Sequence, residues 1–191
     1  MFISPQTAIS EGWIKRSDGT AISAAYIQPN AIDFTIDRVF SSAAATTQFK
    51  AVDTVIDGEL KTVKQFPEFE ELDAFEDADA KFDRVPMWHL TPGSYDFLSD
   101  FYVEVPEGVA ALLIVRSTFN RGGVFVTSGL YDSGYKGNIG AALHNNGNTA
   151  AGVGKGVRVG QIIFVKSESV GLYVGGYNHE AGSVAAQHVT H

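Results

Sequence analysis

The sequence predicts an all-β fold, a sandwich, jelly roll or barrel, on three observations. From residue 85 onward short apolar runs follow one another, separated by Gly, Pro, Asn and Asp. Many short strands at close spacing argue for these architectures. "VDTVIDGELKTV" (52–63) sets Asp57-Gly58 between two alternating runs, a short-range hairpin signal. Helix signals are scarce after the first dozen residues. A chain of 191 residues is long enough for one domain with its own core, or a domain with an extension.

Taken in order, Ser4 before Pro5 reads as an N-cap with proline at the first helical position, and Gly12 stops a helix of about two turns. "AAYIQPNAIDFTIDRVF" (24–40) alternates apolar and polar residues around Pro29 and reads as strands. The acidic block "PEFEELDAFEDADAKFD" (67–83) reads as a solvated loop or short helix. The runs "VPMWHL", "SYDFLS", "FYVEV", "AALLIVRS", "VFVTSGLY", "GNIGAALHN" and "VRVGQIIFV" read as separate strands. "NNGNTAAGVGKG" (145–156) reads as a flexible connection. The tail, 175–191, is polar and small, and is expected to be mobile when nothing is bound.

Composition narrows the function classes. A net charge of −8 with no Lys/Arg cluster argues against a broad nucleic-acid surface, but leaves room for a nucleotide held by a few local Arg residues, backbone N–H groups and a metal. No run of about 18 apolar residues is present, so no membrane span is expected. The first residues lack a basic region followed by a long apolar stretch and are not read as a secretory signal. Without cysteine there is no disulfide framework, thiolate nucleophile or cysteine zinc site, which fits a cytoplasmic location.

Four sets of residues stand out as candidates for chemistry. Asp33 lies inside the apolar run "QPNAIDFTI" (28–36). Arg116, Ser117, Thr118 and Arg121 follow the most apolar strand in "VRSTFNRGG" (115–123). Asp132 and Tyr135 sit on the turn "YDSGYKG" (131–137), and Gln161 lies within "GVRVGQIIF" (156–164). Each has an ordinary structural explanation: a partly exposed strand carboxylate, a strand-end turn, a hairpin turn, a satisfied strand amide. The tail histidines His179, His188 and His191 match no zinc spacing.

In order and spacing the four sets resemble the family of the trimeric dUTP diphosphatases (dUTPases) and dCTP deaminases, over most of the chain and most weakly in 41–84. "VRSTFNRGG" is similar to the family's phosphate motif, "GLYDSGYKGNI" to the third dUTPase motif and "GVRVGQIIF" to the fourth. "MFISPQTAISEGWI" and "QPNAIDFTI" look more like the deaminase branch. The resemblance implies a distorted jelly roll with a short N-terminal helix, assembled as a homotrimer with shared active sites. The domain would span 1–174, with 41–84 a variable insertion and 175–191 an active-site lid. It implies Mg²⁺-assisted hydrolysis of dUTP to dUMP and pyrophosphate, limiting uracil in DNA and supplying dUMP.

The implied roles follow residue by residue. Asp132 would activate water. Tyr135 would pack on the sugar and reject a ribose 2′-hydroxyl. Arg116, Ser117, Thr118, Arg121 and Gln161 would face the phosphates, and Asp33 would approach Mg²⁺ through water. Asn138, Ile139 and Gly140, with Ser128 nearby, would present backbone to the base. The deaminase branch carries its catalytic Glu where Ala142 stands here, so deamination is not expected. The tail lacks the dUTPase arm's Arg; His179 or Lys155 would stand in, or backbone contacts would close the lid alone. The alternatives are a diphosphatase for dCTP or a modified deoxypyrimidine triphosphate, a non-catalytic nucleotide-binding regulator, and a structural jelly-roll module.

Overall fold

The computed structural model describes residues 1–42, 48–76 and 84–180. Helix α1 (Pro5–Ser10) opens the chain; Ser4 Oγ accepts from Thr7 N at 3.1 Å, and Pro5 sits in the first turn, where its missing N–H costs nothing. Gly12, at φ 74°, ends it in the left-handed conformation that side chains avoid. β1 (Ile14–Arg16) follows, too short for a period to be visible in the sequence.

Residues 24–26, expected as strand, form a single 3-10 turn (Ala24–Tyr26) because Ser23 Oγ accepts from Ala25 N at 3.3 Å. β2 (Ile32–Thr35) and β3 (Arg38–Ser42) come next. β4 (Lys50–Ile56) and β5 (Glu59–Gln65) form the expected hairpin, with Asp57 and Gly58 at φ 54° and 82°, as a type I′ turn requires. The acidic block departs from expectation. Its described part forms β6 (Phe69–Glu71) on β3, where Glu71 pairs with Arg38, and β7 (Phe75–Glu76). The rest, 77–83, lies outside the described residues.

β8 (Pro86–Leu90) precedes β9 (Gly93–Glu104), one twelve-residue strand where the sequence suggested two. Asp100 does not break it, because its carboxylate accepts from Thr35 Oγ1 at 2.6 Å and pairs with Arg16. β10 (Val109–Val115), α2 (Ser117–Arg121), β11 (Val124–Thr127) and β12 (Lys136–Asn145) follow. β13 (Ala151–Gly154) pairs with β8 inside the segment read as a connection, and β14 (Arg158–Lys166) closes the order.

Among the described residues the fold is all-β with two short α-helices and one 3-10 turn. The largest sheet runs β11-β12-β9-β3-β6, with β1 also on β9; a second runs β10-β14-β2 and a third β13-β8-β7. The core lies between them. Phe34 of β2 stacks on Phe97 of β9 with centroids 6.0 Å apart, among the fully buried Ile162, Ile139, Val39 and Leu143. Each such side chain contributes about 1.5–3 kcal/mol by leaving water. Among the described residues no helix is long and apolar enough to cross a membrane.

Candidate functional site

Residues of three of the candidate sets meet at the β10-β14-β2 sheet. Antiparallel pairing of β14 with β2 sets Gln161 opposite Asp33, and Gln161 Nε2 donates to Asp33 Oδ1 at 2.9 Å. Asp33 Oδ2 accepts from Gln28 Nε2 at 3.2 Å and Arg158 Nη1 at 3.3 Å, with Arg116 Nε at 3.7 Å. Asp33 is fully buried, and Arg116 Nη1 also donates to the Arg158 carbonyl at 3.2 Å. The family resemblance implies that Asp33 approaches Mg²⁺ through water, and this donor set does not suit direct coordination of a metal ion. Amide and guanidinium donors take both carboxylate oxygens and balance their charge, where a divalent cation needs free oxygens. Among the described residues no group of three His, Asp or Glu is placed to hold a metal ion. Beyond Arg116 the chain turns into α2, which leaves Ser117, Thr118 and Arg121 exposed.

The turn 131–137 builds a second region. Tyr135 N donates to the Asp132 carbonyl at 3.0 Å, and Gly134 takes φ 89°. This leaves the Asp132 carboxylate exposed at a cavity of about 410 Å³ shared with Ser133 and Tyr173. Tyr135 faces an adjoining cavity of about 400 Å³ with Tyr173, Leu98, Asn138 and Gly140. Burial pushes the hydroxyl pKa values of Tyr131 and Tyr135 up. Ile139 belongs to the core, fully buried, so only its backbone is left to meet a ligand.

The backbone edge expected to read a base already has partners in this chain. The Tyr131 hydroxyl donates to the Gly140 carbonyl at 2.7 Å and accepts from Gly140 N at 3.2 Å. The Tyr135 hydroxyl donates to the Asn138 carbonyl at 3.2 Å. Asn138 N donates to His179 Nε2 at 2.9 Å. His179 Nδ1 lies 2.9 Å from the Tyr177 carbonyl, which only accepts, so the proton sits on Nδ1 and the ring docks neutral. The tail is further held by Tyr102 Oη donating to the His179 carbonyl (2.8 Å) and by Lys64 Nζ of the β4–β5 hairpin donating to Tyr177 Oη (2.8 Å). His179 therefore enters the cavity without a charge to offer, and Lys155 is paired with Asp37 at 3.3 Å. His188 and His191 lie outside the described residues.

A larger cavity of about 580 Å³ shares Gly129 and Gly140 with the lining of the Tyr135 cavity. Ser128, Thr127, Ala142 and Asp96 line it. The β12–β9 register pairs Gly140 with Leu98, Ala142 with Asp96 and His144 with Ser94. Asp96 is a residue that sequence reasoning missed. It carries no motif, and only the pairing of distant strands brings it opposite Ala142.

The dCTP deaminase-like family matches residues 6–167. A probable deoxyuridine 5′-triphosphate nucleotidohydrolase of Methanothermobacter thermautotrophicus is 30% identical over 152 residues, spanning 79% of this chain and 87% of the relative. A dCTP deaminase of Pyrobaculum calidifontis is 33% identical over 81 residues, 42% of this chain and 46% of its own. The crystal structure of the 2′-deoxycytidine 5′-triphosphate deaminase of Agrobacterium tumefaciens superposes with a TM-score of 0.59 at 16% identity, covering 87% of this chain and 48% of that one; it shares the fold.

Proposed function

This chain belongs to the dCTP deaminase-like family, and from that premise we propose that it hydrolyses dUTP between the α and β phosphates, giving dUMP and pyrophosphate. The observation that carries the reading is the turn 131–137, which exposes the Asp132 carboxylate beside the cavity walled by Tyr135. The relative named a probable deoxyuridine 5′-triphosphate nucleotidohydrolase supports the choice of substrate. Ala142 supports hydrolysis over deamination, since its methyl group moves no protons.

In this reading Asp132 orients a water and takes its proton as the oxygen attacks the α phosphorus; pyrophosphate leaves. Ser117, Thr118 and Arg121 bind the phosphates from α2, where a guanidinium fork makes parallel hydrogen bonds. Arg116 and Gln161 hold that wall in place through Asp33. Mg²⁺ bound to the triphosphate would lower its charge. The ring of Tyr135 carries the sugar, and Asn138, Gly140 and Ser128 lie along the base. The phosphate set lies on α2 after β10 and Tyr135 on the turn before β12; in this reading the sites are completed between the subunits of a homotrimer, as the family resemblance implies.

Pyrophosphate release from Mg²⁺-loaded dUTP, dCTP, dTTP and UTP tests this, with Asp132→Asn alongside. The substitution is expected to lower kcat by about 10²–10⁴-fold while dUTP still binds. Binding without turnover by the unaltered protein would instead mark a nucleotide-binding regulator.

A further inference from the structure

The geometry points to Lys64 as a positioning residue that holds the tail against the base edge of the nucleotide site, so that the β4–β5 hairpin sets how readily dUTP enters. The inference rests on the nucleotide site proposed above. Its starting point is the Lys64 ammonium, which lies between two aromatic faces. Nζ stands 4.3 Å from the ring centroid of Tyr177 in the tail and 5.3 Å from that of Phe66, just after β5. It also donates to Tyr177 Oη at 2.8 Å. Phe66 in turn packs on Phe49 at the foot of the hairpin, with ring centroids 5.7 Å apart. The quadrupole of an aromatic ring attracts a cation over its face, and here one ring belongs to the hairpin and the other to the tail.

Every residue of β4 and β5 is exposed. A two-stranded hairpin is marginal by itself in water, so the contact orders the hairpin as well as the tail.

Tyr177 carries this hold into the site. Tyr177 and His179 both line the Tyr135 cavity. The Tyr177 carbonyl accepts from His179 Nδ1 at 2.9 Å, which leaves Nε2 to accept from Asn138 N. The start of β12 receives the tail along its backbone: His179 N donates to the Lys136 carbonyl at 2.9 Å, and Lys136 N donates to Asn178 Oδ1 at 2.9 Å. Gly137 makes room for the ring, since a Cβ there would lie 2.6 Å from His179 Cε1. The tail thus occupies backbone that the base needs, and the charge that fixes it belongs to the hairpin. Only the undocked fraction of molecules then admits nucleotide, and apparent affinity falls by that fraction. Losing the Lys64 contact raises the fraction; losing the whole tail sets the ceiling.

The test is kcat and KM for dUTP with Lys64→Met and Lys64→Arg, each in the full chain and in the chain truncated after Val174. Exchange of the Asn138 amide proton, followed by NMR, reads the docking without turnover. In the full chain Lys64→Met is expected to lower KM about twofold to fivefold, the worth of an exposed cation–π contact, with kcat unchanged and Asn138 exchange faster. Lys64→Arg keeps a cation over the ring and should retain the KM of the unaltered protein. In the truncated chain neither substitution should move KM. An unmoved KM or an unmoved exchange rate in full-length Lys64→Met overturns the inference. So does an equal fall in the truncated chain, because Lys64 would then act without the tail. A rise in KM overturns it as well, because the cation would then serve nucleotide binding directly. Faster Asn138 exchange with no dUTP turned over by any of the proteins overturns the diphosphatase reading and leaves the hold of Lys64 on the tail standing.

Discussion

Gln161 and Asp33 are joined side chain to side chain across the β14–β2 pairing, Nε2 donating to Oδ1 at 2.9 Å over a carboxylate that is fully buried. Arg116 and Arg158 supply the opposing charge. Asp33→Ala is expected to destabilise the protein by about 3 kcal/mol, the lower end for breaking a buried pair. The lower end applies because the Arg side chains, 31% and 37% exposed, can rehydrate. Asp33→Asn, which still accepts from Gln161, should cost about half that. Urea unfolding measures both. A loss in Asp33→Ala within about 0.5 kcal/mol of zero, the scale of ordinary surface substitutions, would show that the cluster holds nothing.

His179 sits on Asn138 N, a donor the proposed base edge needs. Nucleotide must then displace the ring. His179→Ala is expected to lower the KM for dUTP about fivefold, the worth of one neutral hydrogen bond, with kcat unchanged. Truncation after Val174 should lower it further. A KM that rises in both proteins would make the tail a closing arm instead of a competitor.

Burial raises the pKa of Tyr131, and this fixes the sign of an alkaline effect. Below about pH 10 the phenol is neutral in folded and unfolded chains alike, and it contributes no pH dependence. Above that, the unfolded chain ionises first and binds fewer protons, so stability falls as pH rises. Melting curves should show Tm dropping above about pH 10. Tyr131→Phe should be less stable at neutral pH, for want of the Gly140 hydrogen bonds, yet show a shallower alkaline fall. An equally steep fall in the variant would place the effect elsewhere.

Gly160 shows where packing admits no side chain. A Cβ there would lie 2.3 Å from Phe34 Cζ and 3.1 Å from the Ile114 carbonyl. Phe34 is fully buried and stacked on Phe97, so it cannot step aside. Gly160→Ala should cost about 1–3 kcal/mol or more. Gly171→Ala, with open space around its Cα, should stay within about 0.5 kcal/mol. Similar losses in both would mean that overlap with Phe34 does not set the cost.

Local physics made much of the fold legible. Ser4-Pro5 and Gly12 bound α1 because capping and left-handed backbone are decided within a few residues. Asp57-Gly58 turns the hairpin for the same reason. Where the prediction failed, a distant partner decided the outcome. Asp100 stays within β9 because Arg16 and Thr35 satisfy it, and the acidic residues 69–71 become a strand because β3 offers an edge and Arg38 a counter-charge.

By itself the sequence determined the strand-rich class, the hairpin, the helix caps and the residue types able to handle a triphosphate, since alternation, turn chemistry and charge are written in neighbouring positions. Only the tertiary structure decided that Asp33 is an ion-pair hub, that the Tyr131 hydroxyl and His179 cover the open backbone of β12, and that Asp96 faces Ala142. Those relations depend on strand register and on burial. One residue of slip would turn each side chain to the opposite face, and no local pattern records which register wins.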